Sequence, residues 1–406
     1  MKLVKMSLAA IVAAGALSSV ASATPLEEAI KNVDVSGFAR YRFDSTQKDP
    51  ATGSKNKAEA SHRFTSYVDF KAALDDNFFG VIGFRYDSKD TSGDKAKGDT
   101  KVGVNDQGAE EFGQTFNVRQ FLLGYQAGNT TIQAGRQVVG TFFTDDMVGT
   151  GIKVLNTDIT GLTLAAVAFD DLQNDPDIGS AALGTYNNNL YGVAAIGSYD
   201  PVSFQLWYAM LQDVADLYAV DVAAKFDVTE DLSLGLQAQY GGSSIDGEIQ
   251  KKGLTLADPL KVDDGNLWIV QASAEGFGID FSAGYIDFSA DNKDQVSVVS
   301  YEDAGSFIKP GEDLLDYTLF YGENKYWFVT AGYSFLEKFR VGVDYIDGTK
   351  KYKENKWDNS ELVGRFDYAY SKKLNFQAWW SHITEDQKNV GKDKVDHFRF
   401  QAKYSF

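Results

Sequence analysis

The chain is predicted to be all-β: a transmembrane antiparallel β-barrel of about eighteen strands, with sixteen as the alternative. Three observations predict it. Apolar and polar residues alternate with period two from Val33 to the end. The connections between these segments are alternately tight and long. The last ten residues close the pattern, with Phe398, Phe400, Ala402, Tyr404 and Phe406 on one face and His397, Arg399, Gln401, Lys403 and Ser405 on the other.

The N-terminus reads as an export signal. Met1-Lys2-Leu3-Val4-Lys5 precedes an apolar run through Val20 and the small residues Ala21-Ser22-Ala23. Residues 1–23 are expected to be removed, taking the net charge from −18 to −20 through loss of Lys2 and Lys5. Residues 24–406 then form one barrel domain. Thr24-Pro25-Leu26-Glu27, a capping box with proline at the first helical position, predicts a short helical turn ahead of it.

Beyond Ala23 no apolar stretch reaches the roughly 18 residues of a spanning helix. The 24% charged residues and mean hydropathy of −0.27 suit a barrel, in which only every second side chain meets lipid. There is no cysteine, and the acidic balance argues against nucleic acid as a partner.

The first strand sets Val33, Val35, Gly37, Ala39, Tyr41 and Phe43 against Asp34, Ser36, Phe38, Arg40, Arg42 and Asp44. Alternating segments follow near 62–74, 78–88, 114–127, 130–138, 150–158, 161–170, 188–199, 202–212, 217–227, 232–241, 266–275, 279–288, 325–335, 339–347, 361–371, 374–384 and 396–406. Weak patterning over 130–158 is what leaves sixteen open. Tight turns include Asp75-Asp76-Asn77, Gly128-Asn129 and Asp200-Pro201; long loops are expected at 45–61, 89–113, 139–149, 171–187, 242–265, 289–324, 348–360 and 385–395. An even strand count puts both termini at the short-turn rim. Tyr41, Phe43, Trp327, Trp379, Trp380 and Tyr404 are expected in interfacial aromatic girdles.

The inward set is then polar and basic. Arg40, Arg42, Arg63, Arg85 and Arg119 lie on the first four strands, and Arg340, Arg365, Arg399 and Lys403 on the last four, so closure gathers them on one side. Carboxylates gather in loops: Asp145-Asp146, Asp170-Asp171, Asp175, Asp177, Glu302-Asp303 and Glu312-Asp313. If the loop after the fifth strand folds inward, Asp145 and Asp146 face the arginines across a narrow bore, and the excess of acid favours cations. Acidic loops also carry oxygen donors suited to calcium, although Asp170 to Gly179 does not match a twelve-residue calcium loop. Three scattered histidines and no nucleophile, metal or phosphate-loop spacing speak against an enzyme.

Longer stretches carry a resemblance. Thr24-Pro25-Leu26-Glu27-Glu28-Ala29-Ile30-Lys31, Val33 to Gly37, Arg40-Tyr41-Arg42, Val148 to Gly151, Asp158 to Ala165, Gly197 to Asp200, Tyr218 to Asp221 and Lys373 to Phe376 resemble the Campylobacter-type major outer membrane porin. The resemblance implies an integral protein of the bacterial outer membrane, an eighteen-stranded homotrimeric porin. It would pass ions and small hydrophilic solutes by passive diffusion, with a preference for cations. It also implies calcium held at the constriction by Asp146, Asp177 and Glu302, although the loop between Thr144 and Val148 is shorter than the family pattern, so Asp145 could replace Asp146. The competing readings are a substrate-selective channel and a surface adhesin or antigen barrel.

Overall fold

A computed structural model describes residues 33–52, 57–92, 116–173, 188–253 and 260–406. The expected export signal, the expected helical turn at Thr24 and the candidate residue Asp177 lie outside these residues.

Eighteen strands form one closed antiparallel sheet. The first thirteen are β1 (Asp34–Asp49), β2 (Lys57–Asp75), β3 (Phe78–Ser92), β4 (Phe116–Ala127), β5 (Thr130–Val138), β6 (Val148–Asn156), β7 (Leu162–Leu172), β8 (Leu190–Tyr199), β9 (Val202–Leu211), β10 (Ala215–Thr229), β11 (Leu232–Ile245), β12 (Gly265–Gly276) and β13 (Ile279–Ala290). A two-residue pair, β14 (Val296–Ser297) and β15 (Phe320–Tyr321), stands apart from the wall. The wall resumes with β16 (Glu323–Phe335), β17 (Phe339–Tyr352), β18 (Asn355–Ala369), β19 (Leu374–Gln387) and β20 (Gly391–Ser405). Each wall strand pairs with the next, and β20 pairs with β1 from Phe38↔Ser405 to Asp49↔Lys394. No sheet edge is left open, the condition for a sheet to stand in hydrocarbon.

The outward faces carry the apolar set that the alternation assigns to lipid. On β13, Ile279, Phe281 and Tyr285 are exposed while Ile286 and Phe288 are buried. Trp327, Trp380, Tyr404 and Tyr41 are exposed, as an interfacial girdle requires. Trp379 is a correction: it follows Phe376 by an odd step, faces inward at 3% exposure, and lies under the Arg399 guanidinium.

Two long loops of the prediction are mostly strand. β17 and β18 meet in the turn Lys353-Glu354, and β19 and β20 in Lys388-Asn389-Val390. About nine to eleven residues suffice to cross a bilayer, whereas these strands have 14 or 15. Above the lipid the wall meets water on its outer face, so apolar alternation stops although pairing continues. Alternation therefore reports the hydrocarbon band rather than the strand ends.

The inner face divides in two. Along β18–β20 and β1–β4 it is polar. On β10, β12, β13 and β16 it is apolar, with Leu217, Leu267, Ile269, Ile286, Phe288 and Phe328 almost fully buried. They bury against loop 291–322, which folds into the bore with Tyr301, Phe307, Tyr317 and Phe320 as its own core. Rings interlock there: Phe288 meets Tyr317 edge-on at 5.3 Å, and Phe307 meets Phe142 at 4.8 Å.

A loop-built constriction in the bore

Two inward loops narrow the lumen. The first, residues 139–147, is held by backbone bonds to the second: Phe143 O accepts from Tyr301 N at 2.9 Å and Glu302 N at 3.1 Å, and Phe142 O accepts from Ser306 N at 2.7 Å. Gly305 lies against this join with φ +54, and a Cβ there would come within 2.3 Å of Phe142 O. Only glycine allows so close an approach at positive φ.

Glu302 completes the join. Its Oε2 accepts the amides of Asp145 at 2.7 Å and Met147 at 2.8 Å, and the residue is 5% exposed. Burial, with Asp146 and Asp145 adding like charge, pushes its carboxyl up to about 8. Glu302 is therefore mostly protonated at neutral pH. It acts as a clamp behind the loop, not as the bore-facing charge expected from its place in an acidic loop. Asp145 is exposed and Asp146 half-buried, so those two carry the lumenal charge of this loop.

Asp146 meets the basic wall. Tyr67 donates its hydroxyl to Asp146 Oδ2 at 3.0 Å, and Arg119 Nη2 donates to Asp146 O at 3.0 Å with Oδ2 at 3.6 Å. The Arg119 guanidinium stacks over Tyr67 at 4.3 Å. The pairing slips between Gly83↔Gln120 and Phe84↔Val118, which makes Arg119 a bulge residue. The bulge turns it inward while Val118, Phe121 and Leu123 keep to the outer face.

The remaining predicted arginines also line the inside. Arg63 and Arg85 share Asp87 at 2.5 and 2.8 Å. Arg399 and His397 share Asp44 at 2.5 and 3.0 Å. Arg42 donates to Gln401 Oε1 at 3.3 Å, and Arg40 lies beside the Phe38 ring.

The second loop crosses the bore to the polar wall, a role that sequence reasoning missed. Glu361 on β18, fully buried, accepts the amides of Glu312 at 3.1 Å, Asp313 at 3.0 Å and Leu314 at 3.3 Å, and the Ser381 hydroxyl at 2.6 Å. Arg365 pairs with Glu312 and with Asp344, and His397 Nδ1 meets Asp313 at 2.8 Å. Gln239 grips the loop's other flank, donating to Ser306 O at 3.1 Å and accepting from Ile308 N at 2.7 Å. The available signal was apolar residues on both faces of a strand, as in Leu267-Trp268-Ile269-Val270, which a wall between lipid and water does not need.

As a calcium site, the predicted trio is represented here by two members. Among the described residues no group of three or more carboxylates or imidazoles is close enough to hold a metal ion. Glu302 Oε2 already serves two amides and Asp146 Oδ2 a tyrosine hydroxyl, which leaves their second oxygens for an ion.

Several solved structures share this fold. Acinetobacter baumannii OccAB1 superposes with a TM-score of 0.69 at 12% identity, over 92% of this chain and 97% of that one. Pseudomonas aeruginosa OccK9 (OpdG) gives 0.68 at 14%, over 92% and 99%. Pseudomonas aeruginosa OpdK with vanillate gives 0.66 at 15%, over 92% and 98%. No curated protein matches significantly. The family model of the Campylobacter major outer membrane protein matches residues 1–406, the whole length over which the barrel and its constriction are built. The chain belongs to the Campylobacter major outer membrane protein family.

Proposed function

We propose that this outer-membrane porin passes small hydrophilic solutes and ions by passive diffusion, with cations preferred. The observation that carries the reading is the placement of Asp145 and Asp146, both open to the bore at the join between the two inward loops, beside Arg119. Carboxylates at a constriction raise the local concentration of cations, and the formal charge of −18 acts in the same sense. The basic wall mostly offsets itself with Asp44, Asp87 and Asp344. Family and fold speak for a channel rather than an enzyme. Reversal potentials of refolded protein in a salt gradient test the preference; anion selectivity would overturn it.

Calcium at the constriction belongs to the same proposal. Burial and the neighbouring Asp146 keep a proton on the Glu302 carboxyl, and a hard dication taken up in place of that proton would offset both carboxylates. Their second carboxylate oxygens would serve as donors, with Asp177 as the third ligand. Calorimetric titration of chelator-stripped protein with calcium, native and Asp146→Asn, tests it; no saturable uptake by the native protein would remove the ion. A homotrimer and removal of residues 1–23 complete the proposal, and native mass spectrometry reads both.

A further inference from the structure

Ion pairing on the polar inner wall is uneven. Asp87, Asp44 and Asp146 are shared among Arg63, Arg85, Arg399, His397 and Arg119. Among the described residues Arg40, Arg42 and Lys403 have no carboxylate at ion-pair distance. Arg40 makes no side-chain hydrogen bond there, Arg42 makes one long one to Gln401, and the Nε of each arginine is buried without an acceptor.

These three cations form one patch. Arg40 stands directly across from Lys403 in the β1–β20 register, and Arg42 follows on the same face one pleat along, roughly 6.8 Å away between Cα atoms. Both arginines are half-buried, and around Arg42 the repulsion from Arg399, Arg40 and Arg63 outweighs the attraction of Asp44. Phe38 supplies an apolar ring at the patch, with Lys403 Nζ 4.4 Å and the Arg40 guanidinium 5.6 Å from its centroid. Cations gathered with unspent donors, and with no carboxylate at ion-pair distance among the described residues, are stabilised by an anion, and guanidinium edges match a flat oxyanion.

We propose that Arg40, Arg42 and Lys403, with Phe38 beside them, form a binding site for the carboxylate of a small organic acid. A carboxylate lying between the two guanidiniums takes a donor edge from each, Lys403 gives a third charge, and the acid's apolar body rests against Phe38. The inference deepens the porin reading: it gives a lumen that prefers cations one place where an organic anion lingers.

Benzoate is the probe, titrated calorimetrically into detergent-solubilised protein and added to single channels in planar bilayers. The expected result is saturable binding with concentration-dependent interruption of the current. Arg40→Gln with Arg42→Gln should weaken binding roughly 100-fold, taking about tenfold for each charge-assisted hydrogen bond removed. Arg340→Gln, a charge removed elsewhere on the wall, should leave it unchanged. No saturable binding, equal binding by the double variant, or equal weakening in Arg340→Gln would overturn the site. Inorganic phosphate binding as tightly as benzoate would overturn the organic-acid assignment. Current in potassium chloride alone tests the porin reading separately, because calorimetry reads the site without conduction.

Discussion

Replacing Glu302 by alanine should loosen the join between the two constriction loops without unfolding the wall. The carboxyl group is the acceptor for the part-buried amide of Asp145 at 2.7 Å and the buried amide of Met147 at 2.8 Å. Leaving each without a partner costs about 1–3 kcal/mol, so about 2–6 kcal/mol for the pair. The loop keeps its other anchors, the Phe142 and Phe143 carbonyls and the Phe142–Phe307 ring packing, so it opens locally. Even the lower figure corresponds to roughly 30-fold more frequent opening. Hydrogen exchange read by mass spectrometry on peptides covering Asp145 and Met147, in the presence of chelator, is the assay. Glu302→Gln retains a carbonyl oxygen for the same two amides and should exchange close to the native rate, since the native side chain is itself mostly neutral at pH 7. Exchange in Glu302→Ala within twofold of native would refute the clamp, and with it the claim that this carboxyl holds the loops together.

Asp145→Asn with Asp146→Asn should move the reversal potential toward zero in a salt gradient, whereas Glu302→Gln in chelator should leave it unchanged; an equal shift from Glu302→Gln would show that its charge reaches the bore. Glu361→Ala removes the acceptor of three loop amides and a hydroxyl and should raise single-channel conductance and current noise; an unchanged trace would mean that the second loop does not limit flow. Gly311→Ala should act the same way, because Gly311 has φ +75 and an added Cβ would fall 2.2 Å from Glu361 Oε2. Calcium should raise the melting temperature of native protein and not that of Asp146→Asn; an equal rise in both would place the ion elsewhere.

The wall was legible in the sequence and the plug was not, and the difference has a physical origin. Val35, Tyr41, Leu234, Leu236 and Tyr404 fall outward as the alternation required, because lipid imposes one condition on every second residue. Inside the bore no such periodic condition applies. The inward direction of Arg63, Arg85, Arg365 and Arg399 follows from phase alone, but which carboxylate each one meets depends on register and loop path. Glu302 and Glu361 illustrate the limit: the first reads in sequence as a constriction carboxylate and calcium ligand and the second draws no reading, yet both are buried acceptors for loop amides. That role depends on chain from another loop arriving at the side chain, through hydrogen bonds that span 155 and 49 residues respectively.

Arg119 shows how local geometry decides what phase cannot. A strict alternation through β4 that puts Phe121 and Leu123 in lipid also puts Arg119 there. A charge at mid-membrane on the lipid face costs roughly 2–4 kcal/mol. One extra residue opposite Gly83 and Phe84 resets the phase, so Val118 goes outward and Arg119 turns toward Tyr67 and Asp146. The same residue thus terminates an error in the lipid pattern and supplies the cation that faces the acidic loop. Removing the extra residue by deleting Val118 should restore regular pairing with Arg119 opposite Phe84, on the outer face and aimed away from Asp146. Cation preference should then rise as the charge opposing Asp145 and Asp146 leaves the bore, and an unchanged reversal potential in a folded deletion variant would contradict this account of the bulge.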